Sequence, residues 1–509
     1  MDFTNVNQQD VCKVENLKEK HMTANKEKLF GQFPPISTAE WKDKVIADLK
    51  GADFDKKLVW RTNEGFNVQP MYRAEDIVGL KTTDSLPGEY PYVRGTKCDN
   101  EWLIRQDIFV ENPQEANRKA LDLLNKGITS LGFQIGRDQI TPESLASLLN
   151  GINAEKVELN FISCIKNASK IGEELSSYFK KQGIDLQKVK GSIGFDPFKR
   201  ILKHGRDFPK YADMAEQVIN SVSELPGYRV LMADAFMLNN AGSYITQELG
   251  FALAWGNEWL SVLTDKGLSV DKVANRIKFN FGISSNYFME MAKFRAARML
   301  WAQIVSAYKP NCDCASKIEM HAQTSQFNMT IYDAHVNLLR SQTETMSAAL
   351  AGVNSITVTP FDITYKQPDE FSERIARNQQ LLLKEESHFN KIVDPAGGSY
   401  YIETLTIAEE AWKLFLEVED AGGFYAALRS GFVQNTVNTA AESRRTAIAR
   451  RKEILLGTNQ YPNIHETALD KIVAETGHTC GCHHHEECTP EMPALHTVRG
   501  ASDFEVLRL

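Results

Sequence analysis

The chain has 509 residues, of which 42% are hydrophobic and 24% charged, and 58 basic against 66 acidic residues give a net charge of −8. This is the balance of a globular protein able to bury a core, and it excludes the electrostatic footprint of a nucleic-acid binder. No stretch approaches about 18 consecutive apolar residues and the polar N-terminus has no apolar signal core, so neither a membrane span nor a membrane partner is expected, and the protein reads as cytoplasmic. Eight cysteines (Cys12, Cys98, Cys164, Cys312, Cys314, Cys480, Cys482 and Cys488) in so long a chain without a signal peptide are expected as reduced thiols.

Residues 1–75 read as an N-terminal arm. A loose polar start leads to a Pro pair, a capped helix carrying Trp41, Val45, Ile46 and Leu49, and a short hairpin. One helix and a hairpin bury little alone, so this segment is expected to dock on a neighbour. From about residue 100 the pattern becomes regular. Strands are predicted at 101–110, 131–137, 157–164, 191–198, 228–236, 277–284, 316–323 and 354–361, separated by helical patterns such as the one carrying Phe294, Ala297, Trp301, Ile304 and Tyr308 at helical spacing. Eight alternations point to an α/β (β/α)8 TIM barrel over 76–465, with a doubly wound sheet as the alternative. Residues 466–509 read as a less regular linker after C-terminal helices.

Several groups carry chemistry in principle. Cys480, Cys482, His483, His484, His485 and Cys488 have soft-ligand character suited to zinc or copper, but their spacing matches no structural zinc site, and a linker that binds metal adventitiously is the competing reading. Cys312-Asp313-Cys314 is either a redox pair or two loop thiols. Asp394 to Glu403, DPAGGSYYIE, is either a phosphate-cradling turn or a structural one, without the Lys-Ser/Thr of a P-loop. Asp333-x-His335 falls at the start of a helical pattern. His321 and Gln323 alternate onto one face at a strand end and are either a site or a satisfied core network.

The ordered set YPYVRG (90–95), WLIRQ (102–106), QELGFALAWG (247–256), KFRAARMLW (293–301), HAQTSQFNMT (321–330), RIARNQQLLLKEE (374–386) and VDPAGGSYYIE (393–403) resembles the barrel domain of the methylmalonyl-CoA mutase family over roughly residues 28–461. The resemblance implies an adenosylcobalamin-dependent isomerase of acyl-CoA thioesters, whose barrel encloses the acyl-CoA and whose separate flavodoxin-like domain ligates cobalt through D-x-H-x-x-G. No such motif occurs here, and the chain is expected to lack that domain. The chemistry departs as well. Asp107 stands where a catalytic Tyr follows I-R-Q, Phe236-Met237 where a Tyr-His pair stands, Gly194 for a Gln, His204 for a carboxylate-binding Arg, and Glu319 for another Arg. Arg105, Gln106, His321 and Gln323 remain as vestigial substrate-binding candidates. The pattern implies a non-catalytic small subunit of a heterodimeric methylmalonyl-CoA mutase, supporting a catalytic large subunit and not itself holding the cofactor. The alternatives are an active barrel working with a separate cobalamin chain, and a non-enzymatic acyl-CoA or metal binder.

Overall fold

The computed structural model describes residues 31–467 and 491–508. The chain divides into two compact units, residues 1–80 and 81–509. In the first, helix Thr38–Asp48 starts from Ser37, whose hydroxyl accepts from the Glu40 amide while Glu40 reaches back to the Ser37 amide. None of its residues is fully buried, and Trp41 meets Phe54 edge-on at 6.4 Å. A two-residue antiparallel ladder, Trp60–Arg61 with Asn67–Val68, follows.

The second unit is a closed parallel barrel of eight strands. They are β1 (Leu103–Val110), β2 (Ser130–Ile135), β3 (Glu158–Ile162), β4 (Lys190–Phe195), β5 (Gly227–Asp234), β6 (Ile277–Ile283), β7 (Met320–Thr324) and β8 (Ser355–Thr357). β8 closes the ring on β1 through Ser355 beside Leu103 and Thr357 beside Arg105. All eight predicted strands are present, and the barrel reading holds over the doubly wound alternative.

The boundaries differ for local reasons. β8 is only three residues because Thr359, instead of extending the ladder, donates its amide to the Thr324 hydroxyl at 2.8 Å just before Pro360. β7 starts late because Asp313–Ser316 winds into a 3-10 turn. β5 ends at Asp234, and Phe236–Asn240 coils into a short helix.

Outward-facing strand residues meet a ring of helices. Phe279 and Phe281 on β6 stack 6.1 Å apart and receive Trp301 and Phe294 from helix Tyr287–Ala307. Helix Ile245–Asp265 is apolar nearly all round because it is covered twice, by strands and by helix Ile407–Asp420. Residues 491–508, expected as an irregular linker, pack closely along the C-terminal rim. The amides of Leu495, Val498 and Gly500 donate to the carbonyls of Leu202, Asn240 and Phe327, in the segments following β4, β5 and β7, and helix Ser502–Arg508 places Glu505 under the Ile331 amide.

Cys312 and Cys314 are joined as a disulfide and Cys98 is also disulfide-bonded, a departure from the expected thiols; Cys164 is a free thiol.

The strongest motifs prove structural. Arg94 reaches Asp394 at 2.9 Å and Glu403 at 3.1 Å, and Arg295 bonds both Glu403, at 2.8 Å, and Asp394. Arg298 beside them donates to the carbonyls of Tyr92, Val93 and Ala351. The Gly-Gly turn exists for this cluster and not for a phosphate: a Cβ on Gly397 would lie 2.1 Å from Arg94 Nη1. Gly398, at φ +83°, would meet nothing. Gly397→Ala is therefore expected to cost about 2–4 kcal/mol by displacing a buried ion pair, and Gly398→Ala only about 1 kcal/mol from backbone strain. Urea denaturation of the two variants separates them; equal losses would refute the packing account.

Candidate functional site

In a barrel, side chains alternate between the ring of helices and the lumen. On β1, Ile104 and Ile108 face the helices, leaving Arg105 and Asp107 inside. The register carries this face round the sheet: Arg105 lies beside Ser130 and Ser130 beside Glu158, while Asp107 lies beside Gly132, Gly132 beside Asn160 and Asn160 beside Ser192. Barrel interiors are ordinarily filled by Val, Ile and Leu. Here the lumen is ionic.

Its centre is an ion pair that crosses the barrel. Lys278 on β6 places Nζ 3.1 Å from Glu158 Oε1 on β3 and 3.0 Å from Asn160 Oδ1. The other Glu158 oxygen accepts from Ser130 and, at 3.1 Å, from Asn160 Nδ2, and Ser192 donates to Asn160 Oδ1 at 2.6 Å. Burial alone would push the Glu158 carboxyl up, but Lys278, the Ser130 bond and Arg105 outweigh it and hold it at about 2.

Nearer the mouth, Arg105 folds onto the carboxylate of Asp107, with Nε 2.7 Å from Oδ1. Gly132 makes the room: a Cβ there would lie 1.9 Å from Asp107 Oδ1. Burial and the charges of Arg105 and Lys278 push His321 well below the ordinary histidine range, so it is neutral, with Nδ1 2.8 Å from Ser355 Oγ. At the end of β5, Asp234 pairs with Lys199, and burial together with Asp234 raises the neighbouring Asp196 carboxyl, which caps the Lys199 amide at 2.9 Å.

The vestigial candidates are thus only partly brought together. Arg105 and His321 share the lumen, and Gln323 lies half-buried at its end, 3.4 Å from Thr359 Oγ1. Gln106 does not join them: it alternates outward and donates to Glu373 at 3.0 Å on helix Glu370–Leu381. Among the degenerate positions, Asp107 and Gly194 lie on inward strand positions, and Phe236 and Met237 open the helix that follows β5. His204 is elsewhere. It ends helix Pro197–His204, exposed, its imidazole lowered by partial burial and by Lys203, Arg200 and Arg206. Glu319 sits before β7, 3.7 Å from Arg229.

His335 stands at the N-cap position of helix Val336–Leu350 without a side-chain capping bond, its ring 5.2 Å from Phe361, an ordinary helix start. Cys480, Cys482, His483, His484, His485 and Cys488 lie outside the described residues. Among the described residues no group of three or more His, Cys, Asp or Glu side chains is placed to hold a metal.

Glu158, Asn160 and Lys278 were missed as site residues. The signal was present: VELNF and IKFNF each put polar side chains at alternate positions of an apolar strand.

A closed (β/α)8 barrel carrying these motifs in this order has the framework of an acyl-CoA-mutase-type barrel. The family model described as methylmalonyl-CoA mutase matches residues 61–141 and 134–479, and the chain belongs to that family. It is 58% identical over 493 residues to a methylmalonyl-CoA mutase small subunit of Porphyromonas gingivalis, covering 96% of this chain and 79% of that one. It is 33% identical to the small subunit of Streptomyces virginiae, covering 87% of this chain and 73% of the other. Against the large subunit of the same organism it is 31% identical, covering 85% and 63%.

Lys278→Met leaves a buried carboxylate unpaired and is expected to cost about 3–5 kcal/mol at pH 7. The sign with pH is fixed by Glu158. In the parent its folded value, about 2, lies below the ordinary 4.5, so its contribution is complete above 4.5 and lost between 4.5 and 2. In the variant the unpaired acid protonates more readily, so the gap to the parent narrows as pH falls from 7 towards 4. Glu158→Gln with Lys278→Met recovers most of the loss. Denaturant melts across this pH range check both; a constant gap would refute the pairing account.

Proposed function

We propose that the chain is the non-catalytic small subunit of a methylmalonyl-CoA mutase. It supports the adenosylcobalamin-dependent interconversion of methylmalonyl-CoA and succinyl-CoA by a large subunit, in a cytoplasmic heterodimer. The observation that carries this is the filled lumen. The space in which the family's barrel encloses an acyl-CoA is crossed here by Lys278–Glu158 and narrowed by Arg105 bound to Asp107. A thioester entering it would have to break a hydrogen-bonded ion pair with 1% and 8% side-chain exposure.

The mouth argues the same way. Phe236 and Met237 supply neither a phenol nor an imidazole, and Asp107 offers a carboxylate already engaged by Arg105. Phe236 and Met237 have no group to donate or accept a proton at a substrate carbonyl, and the Asp107 carboxylate is committed to the Arg105 guanidinium. Nor is the cobalt-ligating motif of the family present: Asp333-x-His335 is followed by Val336, Asn337 and Leu338, and its imidazole packs 5.2 Å from the Phe361 ring at a helix start. The cofactor is accordingly read as belonging to the large subunit.

The assembly role falls to the outer surface and the arm. Helix Thr38–Asp48 carries Trp41 and Val45 only half-buried and Ile46 45% exposed, a face suited to a partner. Obligate partners bury large apolar interfaces, worth roughly 25 cal/mol for each Å2 removed from water.

The pure chain supplied with adenosylcobalamin and methylmalonyl-CoA is expected to form no succinyl-CoA above a heat-killed control; turnover would sink the non-catalytic reading in favour of an active barrel. Co-expressed with a large subunit, the full chain is expected to co-elute on size exclusion. Deleting residues 1–72 should weaken pairing by at least about tenfold, since that loss corresponds to only about 1.4 kcal/mol of lost contact. Equal retention would remove the arm as the clamp, and failure of the full chain to associate would overturn the subunit reading.

A further inference from the structure

The turn that leads into β7 carries two bonded sulfurs at the surface. Helix Tyr287–Ala307 has ended, and residues 311–314 are all exposed before the chain winds through Asp313–Ser316 towards the barrel. Cys312 and Cys314 stand two positions apart in this turn and are bonded to each other. The turn is held from both sides by other groups. The Asp271 carboxylate accepts from the amides of Asn311 and Cys312, each at 3.0 Å, and the Tyr92 phenol donates to the Asp313 carbonyl at 3.0 Å. The backbone is therefore fixed without the cross-link.

A structural disulfide acts mainly by closing a loop in the unfolded chain, and its effect grows with the length of that loop. With one intervening residue, Asp313, this bond restrains almost nothing. Exposed disulfides are instead the labile ones, open to attack by a thiolate. The pair is also asymmetric. The Cys314 amide donates to Cys312 Sγ at 3.2 Å. A donor on sulfur favours negative charge there, so Cys312 is the better leaving group and Cys314 Sγ is the sulfur attacked.

We propose that Cys312 and Cys314 form a thiol–disulfide exchange site whose substrates are small thiols of the glutathione type. An incoming thiolate bonds to Cys314 Sγ, the Cys312–Cys314 bond breaks, and its electron pair leaves on Cys312 Sγ. A second thiolate attacks the sulfur of the first, and Cys314 leaves as a thiolate. Each cysteine takes up the proton given up by one of the two thiols. Two thiols are thus oxidised to one disulfide while the cysteine pair is reduced to the dithiol, and an excess of the small disulfide runs the sequence backwards. The turn precedes β7, at the opposite end of the strands from the mouth, and the site uses none of the lumen residues. It does not depend on whether the chain pairs with a catalytic subunit.

Reduced glutathione is added to the full folded chain, the reaction is stopped in acid at intervals, and the peptide holding both cysteines is weighed by mass spectrometry. The peptide should first gain one glutathione, carried on Cys314 at least about tenfold over Cys312 because the better leaving group is expelled. It should then lose it and finish two hydrogens heavier than at the start, and oxidised glutathione should restore the original mass. Cys312→Ser with Cys314→Ser should leave the melting temperature unchanged, because Asp271 and Tyr92 still hold the turn. The proposal is overturned if the pair resists glutathione in the folded chain yet is reduced in guanidinium, if glutathione adds chiefly to Cys312, or if the double variant melts lower, as loss of a structural cross-link would require.

Discussion

The ammonium of Lys278 against the carboxylate of Glu158 is the contact on which the barrel interior depends. Each ion would be costly to bury alone, and their mutual attraction offsets that cost only when every remaining lone pair and proton is also satisfied. The lumen meets this condition. Lys278 uses a second acceptor on Asn160, Glu158 a second donor on Ser130, and Asn160 is anchored in turn by Ser192. The contact joins β3 to β6, strands that are not neighbours in the ring. It therefore fixes the barrel's internal dimensions in a way that the backbone ladder, which links only adjacent strands, does not.

The same device recurs outside the sheet. Lys293, fully buried, holds Glu248 at 2.9 Å and Glu290 at 2.6 Å and donates to the Gly282 carbonyl, joining two long helices to the end of β6. Two carboxylates share one ammonium there. Burial pushes Glu248 up against the pull of Lys293, with Glu290 adding to the rise, to about 7. The Arg94, Arg295, Asp394 and Glu403 cluster ties the loop before β1 to the turn at 394–398. Such networks add little net stability compared with apolar packing of equal volume, but they tolerate few alternative geometries. The fold is thus specified at three places by polar groups with a single good arrangement.

That distribution explains what was legible in the sequence. Strand and helix periodicity depends on burial along one element, so all eight strands were readable, including β8 despite its length of three residues. The motifs YPYVRG, KFRAARMLW and VDPAGGSYYIE were legible only through their resemblance to the family; that each supplies one side of a buried ion pair emerges from the fold. What was not legible was pairing between distant positions. Nothing local to VELNF and IKFNF says that Glu158 meets Lys278, because their contact depends on the closure of the ring. Gln106 was misplaced for a simpler reason: period two assigns Arg105 and Gln106 to opposite faces, and only one of them can face the lumen. His204 was assigned by counting along the chain, and the helix from Pro197 carries it out to an exposed end among cations.

A barrel whose interior is held by ion pairs resists two kinds of change unequally. Residues at the mouth, such as Phe236, Met237 and Gly194, have few partners in the lumen network, so they are free to depart from catalytic types without disturbing the ring. Gly194 shows this directly: a Cβ there would approach nothing closer than the Phe161 carbonyl at 3.6 Å. Removing one member of the Glu158, Lys278, Asn160, Ser130 and Ser192 set would instead leave a buried charge or donor unsatisfied. Loss of chemistry and retention of shape are therefore compatible in one chain. With the lumen closed by its own side chains, the faces left to interact are the outer surface, the exposed helix of the arm and the rim.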